Sequence, residues 1–159
     1  MLERFLGGDG QSPTGWTDLG SGAPTLIALA QLCSQALAGG RVDSSQLSPE
    51  ARAILYMARH RGVLEVKGSN TAYESPSRLL TVFVELEDQS QVRFRHPGDA
   101  RQNVRFLEGF RDLCANGLLM HHLYHEFSLT SAGFDFAESL SPDGLETLLE
   151  LAQPCDGGA

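Results

Sequence analysis

Apolar residues first recur at helical spacing between Pro24 and Ala38. An apolar stripe with intervals of three or four residues consists there of Leu26, Ala30, Cys33 and Leu37. This stripe predicts an amphipathic helix that stops at the glycine pair of residues 39–40. The preceding stretch "GGDGQSPTGWTDLGSG" holds six glycines without any periodicity. We therefore predict a flexible Gly-rich segment over residues 1–23, in which Trp16 is the side chain best suited to docking.

Two further helices are predicted from their start and stop signals. In "LSPEARAILYMARHRG", Ser48 is the predicted N-cap, Pro49 suits the first turn and Gly62 marks the end. In "DARQNVRFLEGFRDLCANG", Asp99 is the predicted cap and Gly117 the stop. The stripe expected to be buried in this third helix consists of Val104, Leu107, Phe110, Leu113 and Cys114.

The strands are predicted from β-branched residues and from alternation. The stretch "GVLEVKG" reads as a short strand. The segment after it has two interpretations, because Ser75-Pro76 is typical of a helix start whereas "TVFV" favours a strand. Since Val92 and Phe94 alternate with polar residues, we favour a β-hairpin with strands over about 79–86 and 91–95 and "EDQS" as the turn.

The end of the chain predicts a second hairpin followed by two helices. Its strands span about 118–122 and 126–129, and Thr130 caps the helix that follows. A last helix is expected from about Asp143 to Ala152, and residues 153–159 are expected to form a frayed tail. The sequence thus predicts a single α+β domain over residues 24–152.

The C-terminal half resembles winged-helix domains. A helix with apolar periodicity runs into "NGLL", then a hairpin ending in "FSLT", then "SAGFDFAESL". In that family a recognition helix ends at such a Gly-Leu-Leu strand, and the second strand of a wing ends in a Leu-Thr pair that caps the next helix. Matching positions are Gly117, Leu118, Leu119, Leu129, Thr130 and Gly133. The resemblance covers about residues 99–140 and implies a winged-helix-like domain with an added β-hairpin and flanking N- and C-terminal helices.

The distribution of charge bears on the partner that such a domain would take. The net charge is −8, and residues 112–159 contain eight acidic residues but no lysine or arginine. Nonspecific DNA affinity comes from basic side chains that neutralise phosphates. The predicted wing lacks them, so we expect a protein partner or a second copy of the chain. DNA binding by a transcriptional regulator through the 99–116 helix is the alternative.

The candidate binding face lies around the start of the third helix. It consists of Arg93, Arg95, Arg101, Gln102 and Arg105, whose residue types can contact phosphates and base edges. The competing interpretation is a solvated helix face with internal pairing among Arg101, Arg105 and Glu108.

Three histidines in five residues raise the question of a metal site. His121, His122 and His125 lie in the predicted wing, with Glu126 as the nearest carboxylate. Zinc needs three or four converging ligands, so we predict no metal and treat the histidines as wing surface residues. Histidine is nevertheless the side chain whose charge changes between pH 5 and 8.

Other functional classes find little support in the sequence. No GxSxG, HExxH or CxxC motif occurs, and no catalytic group or cofactor site can be assembled, so we predict a non-catalytic protein without a small-molecule substrate. The three cysteines are far apart, and Cys33 and Cys114 are expected to be core residues. Neither a signal peptide nor a membrane span is predicted, which favours the bacterial cytoplasm.

Overall fold

The computed structural model describes residues 13–40, 46–68 and 80–155, with side chains described from residue 24 onward. The helices are α1 (Pro13–Gly39), α2 (Pro49–Ala58), α3 (Ala100–Ala115), α4 (Ser131–Ser139) and α5 (Glu146–Leu149). The strands are β1 (Val63–Gly68), β2 (Leu80–Glu85), β3 (Gln91–Phe94), β4 (Leu119–His121), β5 (Glu126–Leu129) and β6 (Ala152–Pro154). The predicted α+β class is confirmed.

The six strands form one antiparallel sheet in the order β4-β5-β1-β2-β3-β6. Its inner face carries the buried side chains Leu64, Val66, Val82, Val84, Val92, Phe94 and Phe127. Its outer face carries the alternate residues, and Glu65, Phe83 and Arg93 lie side by side there on β1, β2 and β3. The predicted hairpin at 79–95 is therefore confirmed over residues 80–94, and residue 79 lies outside the described residues.

The inner face is covered by helices that pack against one another. Helix α2 packs against α3 on one side and against α4 and α5 on the other, and α1 packs on α3 and β4. A tilted and an edge-on aromatic pair join α3 to the sheet: the Phe94 and Phe106 rings lie 4.9 Å apart, as do those of Phe110 and Phe127. Within the described residues, no helix is both long and apolar enough to cross a membrane.

The helix N-caps predicted from the sequence are confirmed. The Ser48 side chain accepts a hydrogen bond from Ala51 N at 3.2 Å. The Asp99 carboxylate accepts from the amides of the first turn of α3. Thr130 Oγ1 accepts from Gly133 N at 3.1 Å and donates to Gly117 O at 2.8 Å. The last cap also links α4 to the turn that precedes β4.

The buried stripe of α3 differs from the predicted one. Val104 is 43% exposed, whereas Phe106 is buried along with Gly109. Phe110, Leu113 and Cys114 are buried as predicted, and Leu107 is half-buried. The apolar residues of this helix are compatible with two adjacent stripes, and the contact of Gly109 with α2 selects the one that contains Phe106.

Helix α1 also differs from the prediction at its start. It begins at Pro13, so residues 13–23, predicted to be flexible, are helical, while residues 1–12 and the Trp16 side chain lie outside what is described. Glycine costs a helix about 1 kcal/mol relative to alanine but does not forbid it. The helix buries Leu29, Cys33 and Ala36, so Leu37, predicted on the buried stripe, is exposed.

The C-terminal prediction requires two corrections. The expected helix from Asp143 to Ala152 shortens to α5, with Leu145 buried just before it. Part of the expected frayed tail is ordered, because β6 pairs with β3 and Cys155 N donates to Gln91 O at 2.9 Å. Residues 156–159 lie outside the described residues. A strand of three residues has too little pattern to be predicted without its partner.

Candidate functional surfaces

The outward side of α3 carries part of the predicted binding face. Arg101 and Arg105 are exposed, and neither forms an ion pair with any described residue. Gln102 Nε2 donates to Glu50 Oε1 in α2 at 3.3 Å. Arg101 and Arg105 thus form the solvated helix face of the competing interpretation, without the expected pairing to Glu108 among the described residues. Two unpaired guanidinium groups with Val104 beside them make this surface basic and partly apolar.

Arg93 and Arg95 lie elsewhere, on the outer face of the sheet. Their positions alternate with the buried Val92 and Phe94. Arg93 is half-buried, and its Nε atom is buried without a hydrogen-bond partner in the described part of the chain. The predicted five-residue set is thus divided between two surfaces, because α3 covers the opposite face of the sheet.

A polar network centred on Glu65 occupies the outer face of the sheet. Its Oε1 atom accepts from Gln91 Nε2 at 2.7 Å, and its Oε2 atom lies 3.2 Å from Lys67 Nζ and 3.1 Å from His125 Nε2. The Lys67 ammonium also lies 4.6 Å from the centre of the buried Phe83 ring. Sequence analysis missed this network, since its members come close only through strand register.

The three histidines of the β4–β5 hairpin each contact a different partner. His121 Nε2 donates to Tyr124 O at 2.8 Å, His122 Nε2 lies 2.6 Å from Ser128 Oγ, and His125 Nε2 contacts Glu65. Across the described residues, no group of three or more metal-ligating side chains is arranged to hold a metal ion. His121 and His122 thus contact residues of the hairpin, and His125 joins the hairpin to β1.

The tip of this hairpin, residues 122–125, displays an apolar pair that sequence analysis missed. Leu123 and Tyr124 are each 59% exposed, although neighbouring Phe127 is 1% exposed. Tyr124 adopts the left-handed conformation with φ of 51°, which a bulky residue rarely takes. One feature of the sequence could have indicated this unusual tip: its turn, "HLYH", contains none of the glycine, asparagine or aspartate residues that favour tight turns.

The hairpin tip is held firmly against the sheet. Leu123 O accepts from Glu126 N at 2.9 Å, which closes the turn. His125 O accepts from Val66 N in β1 at 3.0 Å, and the His125 ring contacts Glu65 in the same strand. Backbone and side-chain contacts thus fix the two exposed side chains on a rigid base, which reduces the entropy lost when they bind a partner.

Comparison with known proteins finds no family model, no curated protein and no solved structure that matches this chain.

Proposed function

We propose that this chain is a non-catalytic, winged-helix-like binding module of the bacterial cytoplasm whose partner is a protein. The observation that carries the proposal is the exposed Leu123–Tyr124 pair on a rigid hairpin. Tyrosine is enriched among the residues that dominate binding energy at protein interfaces, and leucine supplies apolar area. Leucine offers a phosphate backbone no hydrogen bond, and neither residue carries a positive charge.

The pairing of three strands supports the winged-helix part of the proposal. Strand β5 lies between β1 and β4, so the hairpin that would be the wing joins the strand that follows α2. Leu119 and Leu129 pair across the hairpin and are both buried, as expected of the first and last residues of a wing that faces the core. Gly117 has a φ of 73°, which permits the turn between α3 and β4.

Electrostatics favour a protein over DNA at this hairpin. Its tip carries no lysine or arginine, and Glu126, an exposed carboxylate, follows immediately. A phosphate backbone approaching the tip would meet no lysine or arginine to neutralise it. A protein surface with an apolar pocket would bury both side chains and keep the surrounding polar rim hydrated.

The experiment replaces the apolar pair and leaves the hairpin intact. Leu123→Asn/Tyr124→Asn removes most of the apolar area, and asparagine tolerates the left-handed conformation at position 124. Wild type and variant are used as immobilised baits with lysate of the source organism, and Glu87→Arg in the distant β2–β3 turn is the matched control. We expect a protein retained by wild type and control and lost from the double variant. Equal retention by all three baits would contradict the proposal.

DNA binding through α3 remains the second candidate, because Arg101 and Arg105 are exposed without an ion-pair partner in the described chain. Guanidinium groups at the start of a recognition helix can contact guanine or phosphate. The decisive measurement is the binding of duplex DNA at about 0.15 M salt.

A further inference from the structure

The helical layer has a basic side with unused charge. Arg101 and Arg105 project from α3, and Arg52 projects from the neighbouring α2; all three are exposed and form no ion pair with a described residue. Val104, 43% exposed, lies on the same side of α3. We call these four residues the basic surface. Glu108, one turn further along α3, reduces its charge but does not pair with it.

The same layer has an acidic side. Five carboxylates on α4, on α5 and next to α5 are exposed, and none forms an ion pair within the described chain: Asp135, Glu138, Asp143, Glu146 and Glu150. We call these residues the acidic surface. Since residues 112–159 contain no lysine or arginine, the carboxylates have no counter-charge within their own segment.

The order of the helices allows the basic and acidic surfaces of two copies to meet in a two-fold dimer. Helix α2 lies between α3 and the α4–α5 pair. A two-fold axis that runs along the outer side of α2, in the plane where two helical layers meet, therefore places α3 of one copy against α4 and α5 of the other, and the reverse contact forms at the same time. Such an isologous arrangement matches basic to acidic surface twice and closes at two copies.

We infer that the occupant of the basic surface is a second copy of this chain, bound through its acidic surface in a two-fold dimer. The inference rests on the proposed role as a protein-binding module and names a partner for a different surface from the hairpin tip. Charge complementarity supports the dimer. Each surface holds exposed charges that the described chain leaves unpaired, and a second copy of the chain presents the opposite charges to them. Val104 adds apolar area between the arginines.

The test is a charge-reversal exchange followed by light scattering after size exclusion. Arg101→Glu/Arg105→Glu reverses the basic surface, and Asp135→Arg/Glu138→Arg/Glu146→Arg reverses the net charge of the acidic one, which keeps two of its carboxylates. At about 0.05 M salt, where charges act over more than 10 Å, we expect wild type at twice the 17.2 kDa of one chain and each variant alone as a monomer. An equimolar mixture of the two variants should recover the dimer, because every contact is again between opposite charges.

Controls separate this inference from the proposed function. Glu87→Arg should remain dimeric, and so should the hairpin-tip double variant, because neither alters the charged surfaces. Circular dichroism and melting curves check that each variant is folded. Raising salt to about 0.5 M should weaken the wild-type dimer at least tenfold in Kd, since screening shortens the range of the attraction.

Three results would overturn the inference. They are a wild-type monomer at about 100 µM chain in low salt, a dimer that survives both charge reversals, or a mass that grows past two copies with concentration. If the wild type is a monomer and its hairpin tip still retains a protein from the lysate, the dimer is ruled out and the proposed function stands.

Discussion

Gly109 of α3 lies directly against the backbone of Ala51 in α2. A Cβ atom at position 109 would come within 2.8 Å of Ala51 N and 3.2 Å of Ala51 Cα. Because the obstructing atoms belong to a helix backbone, they cannot move aside as a flexible side chain would. This contact sets the distance between the two helices and the rotation of α3 about its axis.

Gly109→Ala should therefore destabilise the protein, although alanine is the better helix former. Overpacking typically costs about 1–3 kcal/mol, which exceeds the roughly 1 kcal/mol gained in helix propensity. Urea unfolding measures the difference. Gly39→Ala, at the end of α1 with open space around the added methyl group, is the control and should be neutral or stabilising. Equal effects of the two substitutions would contradict the close contact.

The same contact explains why the sequence identified the helix but not its rotation. The caps at Ser48, Asp99 and Thr130 and the two hairpins could be predicted, because local hydrogen bonding and alternation determine them. Whether Val104 or Phe106 is buried depends on a glycine that meets another helix, and sequence periodicity alone does not contain that information.

The candidate surfaces were predictable only in part for a similar reason. The residue types of the α3 arginines were recognised, but the separation of Arg93 and Arg95 from them follows from strand register and layer order. The Glu65 network joins three separate segments of the chain, so it too depends on tertiary structure. The exposed hairpin tip could not be predicted, because the alternation that indicates which strand residues are buried does not continue through a turn.

The cysteines should differ sharply in reactivity. Cys33 and Cys114 are 1% and 0% exposed, whereas Cys155 is half-buried near the end of β6. Burial raises the pKa of the Cys114 thiol well above its ordinary value, which lowers the fraction of reactive thiolate. A thiol reagent should modify Cys155 quickly in the native protein and the other two only in denaturant. Rapid modification of all three sites in native buffer would contradict this burial.

Tyr124 provides a test that separates binding from stability. A bulky residue at φ of 51° carries a conformational cost of about 1 kcal/mol, which glycine would relieve. Because glycine also increases the entropy of the unfolded chain, Tyr124→Gly should change the free energy of unfolding by less than about 1 kcal/mol. Thermal unfolding measures this, and the lysate assay measures the expected loss of partner binding. Leu119→Ala, at the buried end of the same hairpin, should cost about 2–5 kcal/mol instead.

Zinc should have little effect on the melting temperature. His121, His122 and His125 contact three different partners, so binding one ion would require the hairpin contacts to break. A site with Kd 100-fold below the free zinc concentration would add about 2.7 kcal/mol of stability. Differential scanning fluorimetry with and without zinc, repeated on His125→Ala, detects such a gain. A large shift that disappears in the variant would contradict our interpretation of the histidines.

The α3 arginines separate protein binding from DNA binding. Both are exposed and lie off the buried stripe, so Arg101→Ala and Arg105→Ala should each change the free energy of unfolding by less than about 0.5 kcal/mol. If α3 read base edges, each substitution would cost about 1–3 kcal/mol in binding, and loss of a phosphate contact would lower the salt slope by about one.

We expect instead negligible duplex binding by the wild type at about 0.15 M salt, where the exposed carboxylates of α4 and α5 still repel phosphate at close range. The same substitutions should then weaken self-association. Fluorescence anisotropy with random-sequence duplexes, repeated at low salt, measures the first effect, and light scattering measures the second. A sub-micromolar, sequence-selective complex with DNA at about 0.15 M salt would favour the regulator over the protein-binding module, because specific protein–DNA complexes survive that salt concentration.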